Sequence, residues 1–436
     1  MKSLTPLLAA ATCLLQTVSA GSVFAHVVVG NTGAHDTAAW STDIKLAQGV
    51  GIDAFVLNMG YPDSNIPTQV ANAFAAAAGT GFKLFLAFDY LGGGSVWPAG
   101  TAAADPPDSV VSYLLKYKDN AAYFHYNNAP FVSTFEGKDN TADWAPNGPI
   151  RSKVGAIHFV PNWNSIGQEK IGAQLDNMEG FFSWDMWPLG GTNQTDAVDE
   201  SWKAATPGKT YMMGVSPWFF HSASGGEDWV WRGDSLWADR WAQTLDVKPD
   251  FVQIVTWNDF GESSYIGPVA NTADVAAGSL EYVQNMPHDS WRDFLPYYIA
   301  AYKGTPLTPT KDQMQYWYRT APVTAGSTCG VVGNSAGNGQ TTTTPDKILE
   351  DGVFLSALLT SAAQVQVQIG GGQAVTFQGA AGINHWSVPF NGQTGEPKFS
   401  VLRGGNVVNS GTGAAITAET SLADGCANYN AWVGSF

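Results

Sequence analysis

Asp259 and Glu262 are two carboxylates that directly follow the apolar run Phe251–Thr256. The run is rich in β-branched residues and does not alternate with polar ones, which is typical of a buried parallel strand. A carboxylate beside aromatic surface is costly unless it has a partner or a chemical task. Paired carboxylates next to aromatic rings that stack on sugars are what the cleavage of a glycosidic bond requires.

The two acids can divide the work of an acid and a base. Trp257, Phe260 and Tyr265 are expected to exclude water from one carboxyl group and raise its pKa, so that it keeps a proton for the leaving oxygen. The other carboxylate stays ionised, and either activates water or attacks the sugar. An alternative is that one acid only orients a ligand as a hydrogen-bond acceptor, because residues on one loop need not both reach the bond.

Strand-like runs alternate with helix-like segments through the first 305 residues, and most runs are continuously apolar. The alternation predicts an α/β fold, a (β/α)8 TIM barrel. The alternative is a doubly wound open sheet, which is expected to carry a glycine-rich phosphate turn after its first strand, and residues 30–33 match that turn poorly. The strand-like runs are Phe24–Gly30, Ala54–Met59, Lys83–Tyr90, Pro130–Gly137, Val154–Trp163, Gly180–Trp187, Thr210–Trp218 and Phe251–Asp259.

The carboxyl ends of barrel strands form the active-site face, so the last residues of each run are the candidates for substrate binding. Acids, amides and aromatic residues predominate there, and they suit a pyranose ring, which offers hydroxyl groups and an apolar CH face. A neutral, polyhydroxylated ligand fits this set better than a phosphate or a nucleotide. The candidates are Asn58, Asp89, Tyr90, Glu136, Trp163, Asp185, Trp187, Trp218, Trp257 and Asn258, with Tyr265 on the last loop.

The individual roles of these residues stay open at the level of the sequence. Asp185, Asp89 and Glu136 each end an apolar run, and each has three interpretations: catalysis, hydrogen bonding to a sugar, or a scaffold role such as pairing with an arginine. The tryptophans are either stacking platforms or partly buried core residues. The histidines are scattered, without the spacing of a metal site, so no metal and no cofactor are expected.

The composition changes after Tyr316. Residues 325–345 are rich in Gly, Ser, Asn and Thr, which predicts a linker between a catalytic barrel at 21–324 and a second domain at 346–436. The second domain has short alternating runs, such as residues 364–369 and 398–402, separated by glycine-rich turns. This pattern predicts a small β-sandwich accessory domain.

Residues 1–20 have the pattern of a secretory signal peptide, with Lys2, a short apolar segment and a small-residue cleavage site at Ala20. In an oxidising compartment Cys329 and Cys426 are expected to form a disulfide. Asn193 begins a glycosylation motif. The net charge of −16 argues against nucleic acid as a partner, and the apolar segment is too short to span a membrane. We expect a secreted, extracellular or cell-wall monomer.

Several of these motifs, in this order, resemble glycoside hydrolase family 71, the fungal α-1,3-glucanases known as mutanases. They include residues 52–58, 88–90, 135–137, 182–187 and 257–263. The resemblance implies a barrel followed by a β-sandwich, and hydrolysis of the α-1,3-glucan polysaccharide of fungal cell walls with inversion at the anomeric carbon. It also implies that Asp259 and Glu262 are the essential carboxylates. The residues leave open which of the two is the acid and which the base, and our working hypothesis is Glu262 as the acid and Asp259 as the base.

Two other functions remain consistent with the sequence. One is a glycosidase of another specificity, such as an endo-α-mannosidase, which can use a similar Trp-Asn-acid loop. The other is a non-catalytic cell-wall protein that binds carbohydrate. The sequence is equally consistent with endo and with exo action on the polymer.

Overall fold

The computed structural model describes residues 21–100, 108–222 and 227–436, so the predicted signal peptide lies outside the described residues. Each of the eight strand-like runs contains a strand. The strands up to residue 254 are β1 (Ser22–Val28), β2 (Ala54–Gly60), β3 (Lys83–Asp89), β4 (His125–Tyr126), β5 (Ala129–Phe135), β6 (His158–Asn162), β7 (Gly180–Ser183), β8 (Thr210–Val215), β9 (Phe220–His221), β10 (Trp229–Val230) and β11 (Phe251–Ile254). The helices are α1 (Thr37–Gly49), α2 (Ile66–Ala77), α3 (Val110–Tyr117), α4 (Pro149–Val154), α5 (Ala197–Ala205), α6 (Leu236–Val247), α7 (Leu280–Val283) and α8 (Leu295–Tyr302).

Within this described part, eight strands run parallel in one curled sheet, in the order β6-β5-β3-β2-β1-β11-β8-β7. Its two edge strands face each other. The amide of Glu179, just before β7, donates to the carbonyl of Phe159 in β6 at 2.9 Å. The side-chain amide of Asn162 donates to the carbonyl of Phe182 at 3.0 Å. The fold is therefore a mixed α/β fold whose parallel sheet curls until individual hydrogen bonds bridge its edges.

Phenylalanine rings fill the inside of the curl near the strand beginnings. Phe24 of β1 lies 4.9 Å from Phe85 and 5.6 Å from Phe131 of β5, measured between ring centroids. Strands β1 and β5 are separated by two others in the sheet, so their rings can meet only across its concave face. Phe251 closes the group, at 5.0 Å from Phe131. Because the amino ends are packed with apolar rings, polar chemistry is confined to the carboxyl ends.

The outer helices follow from the apolar periodicity of the sequence. In α1 the buried residues Trp40, Ile44 and Ala47 form an apolar stripe at helical spacing, and the Asp36 carboxylate caps the first turn by accepting the amide of Ala39 at 2.8 Å. The segment after β5 has no clear period, and the structure there has a 3-10 helix, Lys138–Trp144, followed by the short α4.

The C-terminal part contains two four-stranded antiparallel sheets, ordered β17-β14-β12-β20 and β16-β15-β18-β19. Buried residues of both sheets, including Tyr316, Leu355, Val365 and Phe399, form one hydrophobic cluster. Strand β12 precedes residue 325, so the first sheet uses residues from both sides of the expected linker. The strands are β12 (Gln313–Tyr318), β13 (Val332–Gly333), β14 (Gly352–Leu359), β15 (Ala363–Ile369), β16 (Val375–Gly379), β17 (Gly382–Pro389), β18 (Pro397–Arg403), β19 (Asn406–Thr412) and β20 (Trp432–Ser435).

Residues 325–345 pack against the rest of the chain. Strand β13 pairs with β10, and the Glu227 carboxylate accepts hydrogen bonds from the Ser335 hydroxyl and the Gly337 amide, each at 2.9 Å. Cys329 and Cys426 form a disulfide with their Cα atoms 5.6 Å apart. Across the described ranges we find no helix of the length and apolar character needed to cross a membrane.

Candidate active site

The loop after β11 places Asp259 and Glu262 on one tight turn at the carboxyl end of the curled sheet. The Thr256 hydroxyl accepts the amide of Asp259 at 2.7 Å, and the Asp259 Oδ1 atom accepts the amide of Glu262 at 3.0 Å. Both side chains are partly exposed, while their neighbours Trp257, Phe260 and Gly261 are buried. The carboxyl groups therefore lie in a recess enclosed by protein but open to solvent.

The pKa values of the two acids are shifted by different neighbours. Burial raises the pKa of Asp259, but this is opposed by the amides of Glu262 and Gly261 and by the nearby His221. Burial also raises the pKa of Glu262, and the neighbouring charges of Asp259 and Asp89 raise it further, to well above its ordinary value. A like charge disfavours the second ionisation, and it adds to burial in raising the pKa of Glu262.

Asp89 at the end of β3 adds a third carboxylate to this recess. Its Oδ1 atom accepts the amides of Leu91 at 2.9 Å and Gly92 at 2.6 Å, and its Oδ2 atom accepts the Asn58 side chain at 3.0 Å. Burial raises the pKa of Asp89, against these hydrogen bonds. The Asn58 Oδ1 atom is buried and has no hydrogen-bond partner among the described residues.

Glu136 and Asp185 form a second acidic group at the ends of β5 and β7. The Glu136 carboxylate accepts the amide of Ser165 at 3.1 Å and also its hydroxyl. Asp185 accepts the indole N–H of Trp202 at 2.6 Å. Burial raises the pKa of both acids, and the Asp185 charge adds to the rise at Glu136. Glu136 has a φ of 54°, a strained conformation of the kind that accumulates at functional sites.

Asn258 holds the loop to the first strand. Its Oδ1 atom accepts the amide of Val28 at 2.8 Å, and its Nδ2 atom donates to the Val28 carbonyl at 3.0 Å. Its own carbonyl accepts the side chain of Asn31 at 3.3 Å. Both polar atoms of the Asn258 side chain thus hold the loop to β1, and its role as a substrate ligand stays a prediction.

The predicted stacking platforms are core residues. The rings of Trp163, Trp187, Trp218, Trp257 and Tyr265 are all buried. A buried ring presents no face to a sugar, so the structure gives no support to stacking by the four tryptophans, and the substrate-binding roles of these residues and of Tyr265 stay predictions. Tyr90 is likewise buried, and its ring blocks the space beside Gly137. Sequence cannot distinguish the two cases, because Trp and Tyr favour both cores and sugar sites.

Trp184 is partly exposed at this rim, as is its neighbour Phe135 at the end of β5. Trp184 lies between Ser183 at the end of β7 and Asp185, and it packs 4.7 Å from Phe135 and 5.5 Å from His26. Trp184 lies within residues 182–187, a motif that the sequence analysis had already identified. That position could have indicated Trp184 as a candidate for contact with a sugar. His26 itself is buried and bonded to Gln253, and burial lowers its pKa to about 3, so it stays neutral.

Two other residues beside the acids were not predicted. The amide of Phe220 donates to the Glu262 carbonyl at 3.0 Å, which places the β9 strand and its His221 beside the loop. The Tyr282 hydroxyl donates to the Gly261 carbonyl at 2.6 Å. Neither residue ends a parallel strand, so the strand-end rule could not select them.

The remaining predicted sites lie away from the acids. Asn193 is exposed, and its side chain bonds Arg232 at 2.7 Å and Asp239 at 3.1 Å. Among the described residues, potential metal ligands come together at Cys329, Asp424 and Cys426, where both sulfurs already form the disulfide.

The chain matches known proteins along nearly its whole length. Residues 19–436 match the model of "Glycosyl hydrolase family 71". A glucan endo-1,3-alpha-glucosidase of Schizosaccharomyces pombe is 34% identical over 94% of this chain and 94% of its own. A mutanase of Penicillium rubens is 35% identical over 95% of this chain and 88% of its own. A family GH99 endo-alpha-mannosidase from Bacteroides thetaiotaomicron superposes with a TM-score of 0.45 and 15% identity, over 63% of this chain and 81% of that one. The family match and the identity of both relatives over most of their lengths show that the chain belongs to glycosyl hydrolase family 71.

Proposed function

We propose that this protein hydrolyses α-1,3-glucosidic bonds in the α-glucan of fungal cell walls. The observation that carries the proposal is the Asp259–Glu262 pair on one turn, where burial raises the pKa of both carboxyl groups and the charge of Asp259 raises that of Glu262 further. Both relatives named above are α-1,3-glucan hydrolases by name, and each aligns over most of its length.

The proposed mechanism is inversion. Glu262 donates its proton to the glycosidic oxygen as the bond to the anomeric carbon breaks, and Asp259 accepts a proton from the attacking water. The turn supports these roles, because its amide hydrogen bonds favour the ionised form of Asp259, whereas Glu262 faces two negative neighbours. Inversion requires the carboxyl groups to be about 6.5–9.5 Å apart, which leaves room for water.

The other rim acids are proposed as sugar ligands. Asp89 and Asn58 border the catalytic pair, whereas Glu136 and Asp185 form a second group with Trp184. Carboxylates that already accept protein hydrogen bonds keep lone pairs for sugar hydroxyls. The partly exposed ring of Trp184 supplies the apolar contact.

The wider architecture and location are also proposals. We propose that the curled sheet is a (β/α)8 barrel and that the two C-terminal sheets form a β-sandwich, to which β12 belongs. Residues 325–345 then connect the two while packing on both β10 and the disulfide. We further propose that residues 1–20 direct secretion, that the mature protein is a monomer, and that Asn193 is a glycosylation acceptor.

The test is hydrolysis with the new anomer followed by NMR. The secreted full-length protein is incubated with α-1,3-glucan, and with α-1,4-glucan and mannan in parallel. We expect release from α-1,3-glucan alone, with the β-anomer appearing first. A Glu262→Gln preparation made in the same way controls for contaminating hydrolases. Release from mannan alone would favour a mannosidase, binding without turnover would favour a carbohydrate-binding protein, and an initial α-anomer would contradict inversion.

A further inference from the structure

Tyr282 connects to the turn between the two essential acids. It is buried on α7, and its hydroxyl lies 2.6 Å from the Gly261 carbonyl and 2.8 Å from the Ser279 hydroxyl. A carbonyl can only accept a hydrogen bond, so the phenol proton goes to Gly261 and the Ser279 hydroxyl donates to Tyr282. Gly261 stands between Asp259 and Glu262 in the chain, so this bond fixes the middle of the turn.

Residues 427–431, near the C-terminus, hold the backbone of Tyr282 through hydrogen bonds. Its carbonyl accepts the side-chain amides of Asn430 at 3.0 Å and Asn428 at 3.4 Å. Asn430 is fully buried, and its Oδ1 atom accepts the amide of Ala431 at 2.8 Å. The same Nδ2 group lies 3.4 Å from the hydroxyl of Tyr265, whose ring packs 5.1 Å from Phe260 of the turn. Asn430 therefore supports the turn through two tyrosines.

The segment that carries Asn430 is itself anchored. It begins just after Cys426, which is bonded to Cys329, and the Ala427 amide donates to the Ser327 carbonyl at 2.7 Å. The indole of Trp218, which follows β8, donates to the Tyr429 carbonyl at 2.9 Å. The far end of the chain thus packs directly behind the acidic recess, through buried hydrogen bonds.

We propose that Tyr282 and Asn430 are positioning residues that hold Gly261 and thereby set the spacing between the carboxyl groups of Asp259 and Glu262. This inference rests on the proposed function, since the two acids have a catalytic spacing only if they share one reaction. A buried network of satisfied hydrogen bonds is rigid, and a small displacement of catalytic groups is costly to turnover. The C-terminal segment is then part of the active-site frame.

The test substitution is Tyr282→Phe, which keeps the ring against Phe220 and removes only the hydroxyl. We expect kcat on soluble α-1,3-gluco-oligosaccharides to fall by about tenfold to a hundredfold, with KM nearly unchanged. The basic limb of the pH profile should also move, because a changed spacing alters the repulsion by Asp259 that adds to burial in raising the pKa of Glu262. Asn430→Ala should change kcat and the pH profile in the same direction.

The matched control is Tyr117→Phe. Tyr117 is also buried, lies on α3, and its hydroxyl has no hydrogen-bond partner among the described residues. We expect Tyr117→Phe to keep the wild-type kcat and pH profile. If Tyr282→Phe and Asn430→Ala lower only the Tm, and match this control in kcat and pH profile below that temperature, the inference is overturned.

A crystal structure of Tyr282→Phe beside the wild type supplies a readout that does not depend on activity. We expect the Gly261 carbonyl and the Glu262 carboxyl group to be displaced. Unmoved atoms would overturn the inference even if the wild type proved inactive on α-1,3-glucan, an outcome that would overturn only the proposed function.

Discussion

Two acidic sites in this molecule differ in how their charge is balanced. Asp199 on α5 is fully buried and forms a bidentate pair with Arg240, at 2.7 and 3.1 Å, while also accepting the Tyr211 hydroxyl at 2.9 Å. Asp259 and Glu262 are enclosed as well, yet no Lys or Arg of the described ranges forms an ion pair with either.

The difference separates a structural acid from acids with a chemical task. Arg240 places a positive charge directly on both carboxylate oxygens of Asp199, so that buried acid has a complete structural partner. At the turn after β11, burial and the charges of Asp259 and Asp89 raise the pKa of Glu262, and the charged neighbour of Asp259 is a histidine, His221, rather than an arginine. Charge balance, rather than burial alone, distinguishes the two sites.

The largest expected effect is the loss of turnover in Glu262→Gln and Asp259→Asn. Each should lower kcat by about 10²–10⁴-fold, because each removes one proton-transfer group. The Tm should stay level or rise, since a repulsive contact is lost. Reducing-sugar release and thermal unfolding measure the two quantities. Turnover close to wild type in either variant would contradict the assignment of that residue.

The second expected effect is a loss of stability in Asp199→Asn. This change leaves the Arg240 charge buried without its partner, so the free energy of unfolding should fall by about 3–5 kcal/mol. Denaturant unfolding gives the value, and kcat of the folded fraction at low temperature should stay near wild type. An unchanged unfolding midpoint would contradict the prediction that Asp199 compensates for the burial of the Arg240 charge.

A smaller effect is expected at the second acidic group. Glu136→Gln and Asp185→Asn should each weaken transition-state binding by about 1.5–3 kcal/mol, the range for a hydrogen bond to a charged group. The loss should appear in kcat/KM for soluble oligosaccharides. If either variant instead loses turnover as completely as Glu262→Gln, that acid belongs to the catalytic set.

The smallest effect concerns the dependence of stability on pH. Glu262 has a raised pKa in the folded state, so the folded protein binds its proton more tightly than the unfolded chain does. The stabilisation that comes from protonated Glu262 is therefore fully present below the pKa of this group in the unfolded chain. It is lost as the pH rises through the pKa of this group in the folded protein. The glutamine in Glu262→Gln cannot ionise. The Tm of this variant should therefore rise relative to that of the wild type as the pH increases from the unfolded to the folded pKa of Glu262. A constant difference in Tm would contradict the raised pKa.

Part of the site was accessible from the sequence because parallel strands bring their carboxyl ends to one edge. That rule selected Asp89, Glu136, Asp185 and Asp259, and the structure places all four at the ends of strands or on the loops that follow them. The same rule failed for the aromatic residues. Trp163 and Trp218 follow their strands just as directly, yet they turn into the core, because side-chain direction after a strand depends on the packing of neighbouring elements.

The sequence by itself determined the alternation of strands and helices, the family resemblance and the paired acids after β11, because these depend on local periodicity and on residues adjacent in the chain. Tertiary structure alone decided that Asp199 is neutralised by Arg240, and that Tyr282 and Asn430 lie behind Gly261. Those contacts join residues far apart in the chain, and no local pattern encodes them. Their physical basis is burial, which forces each polar group either to find a partner or to keep a shifted pKa.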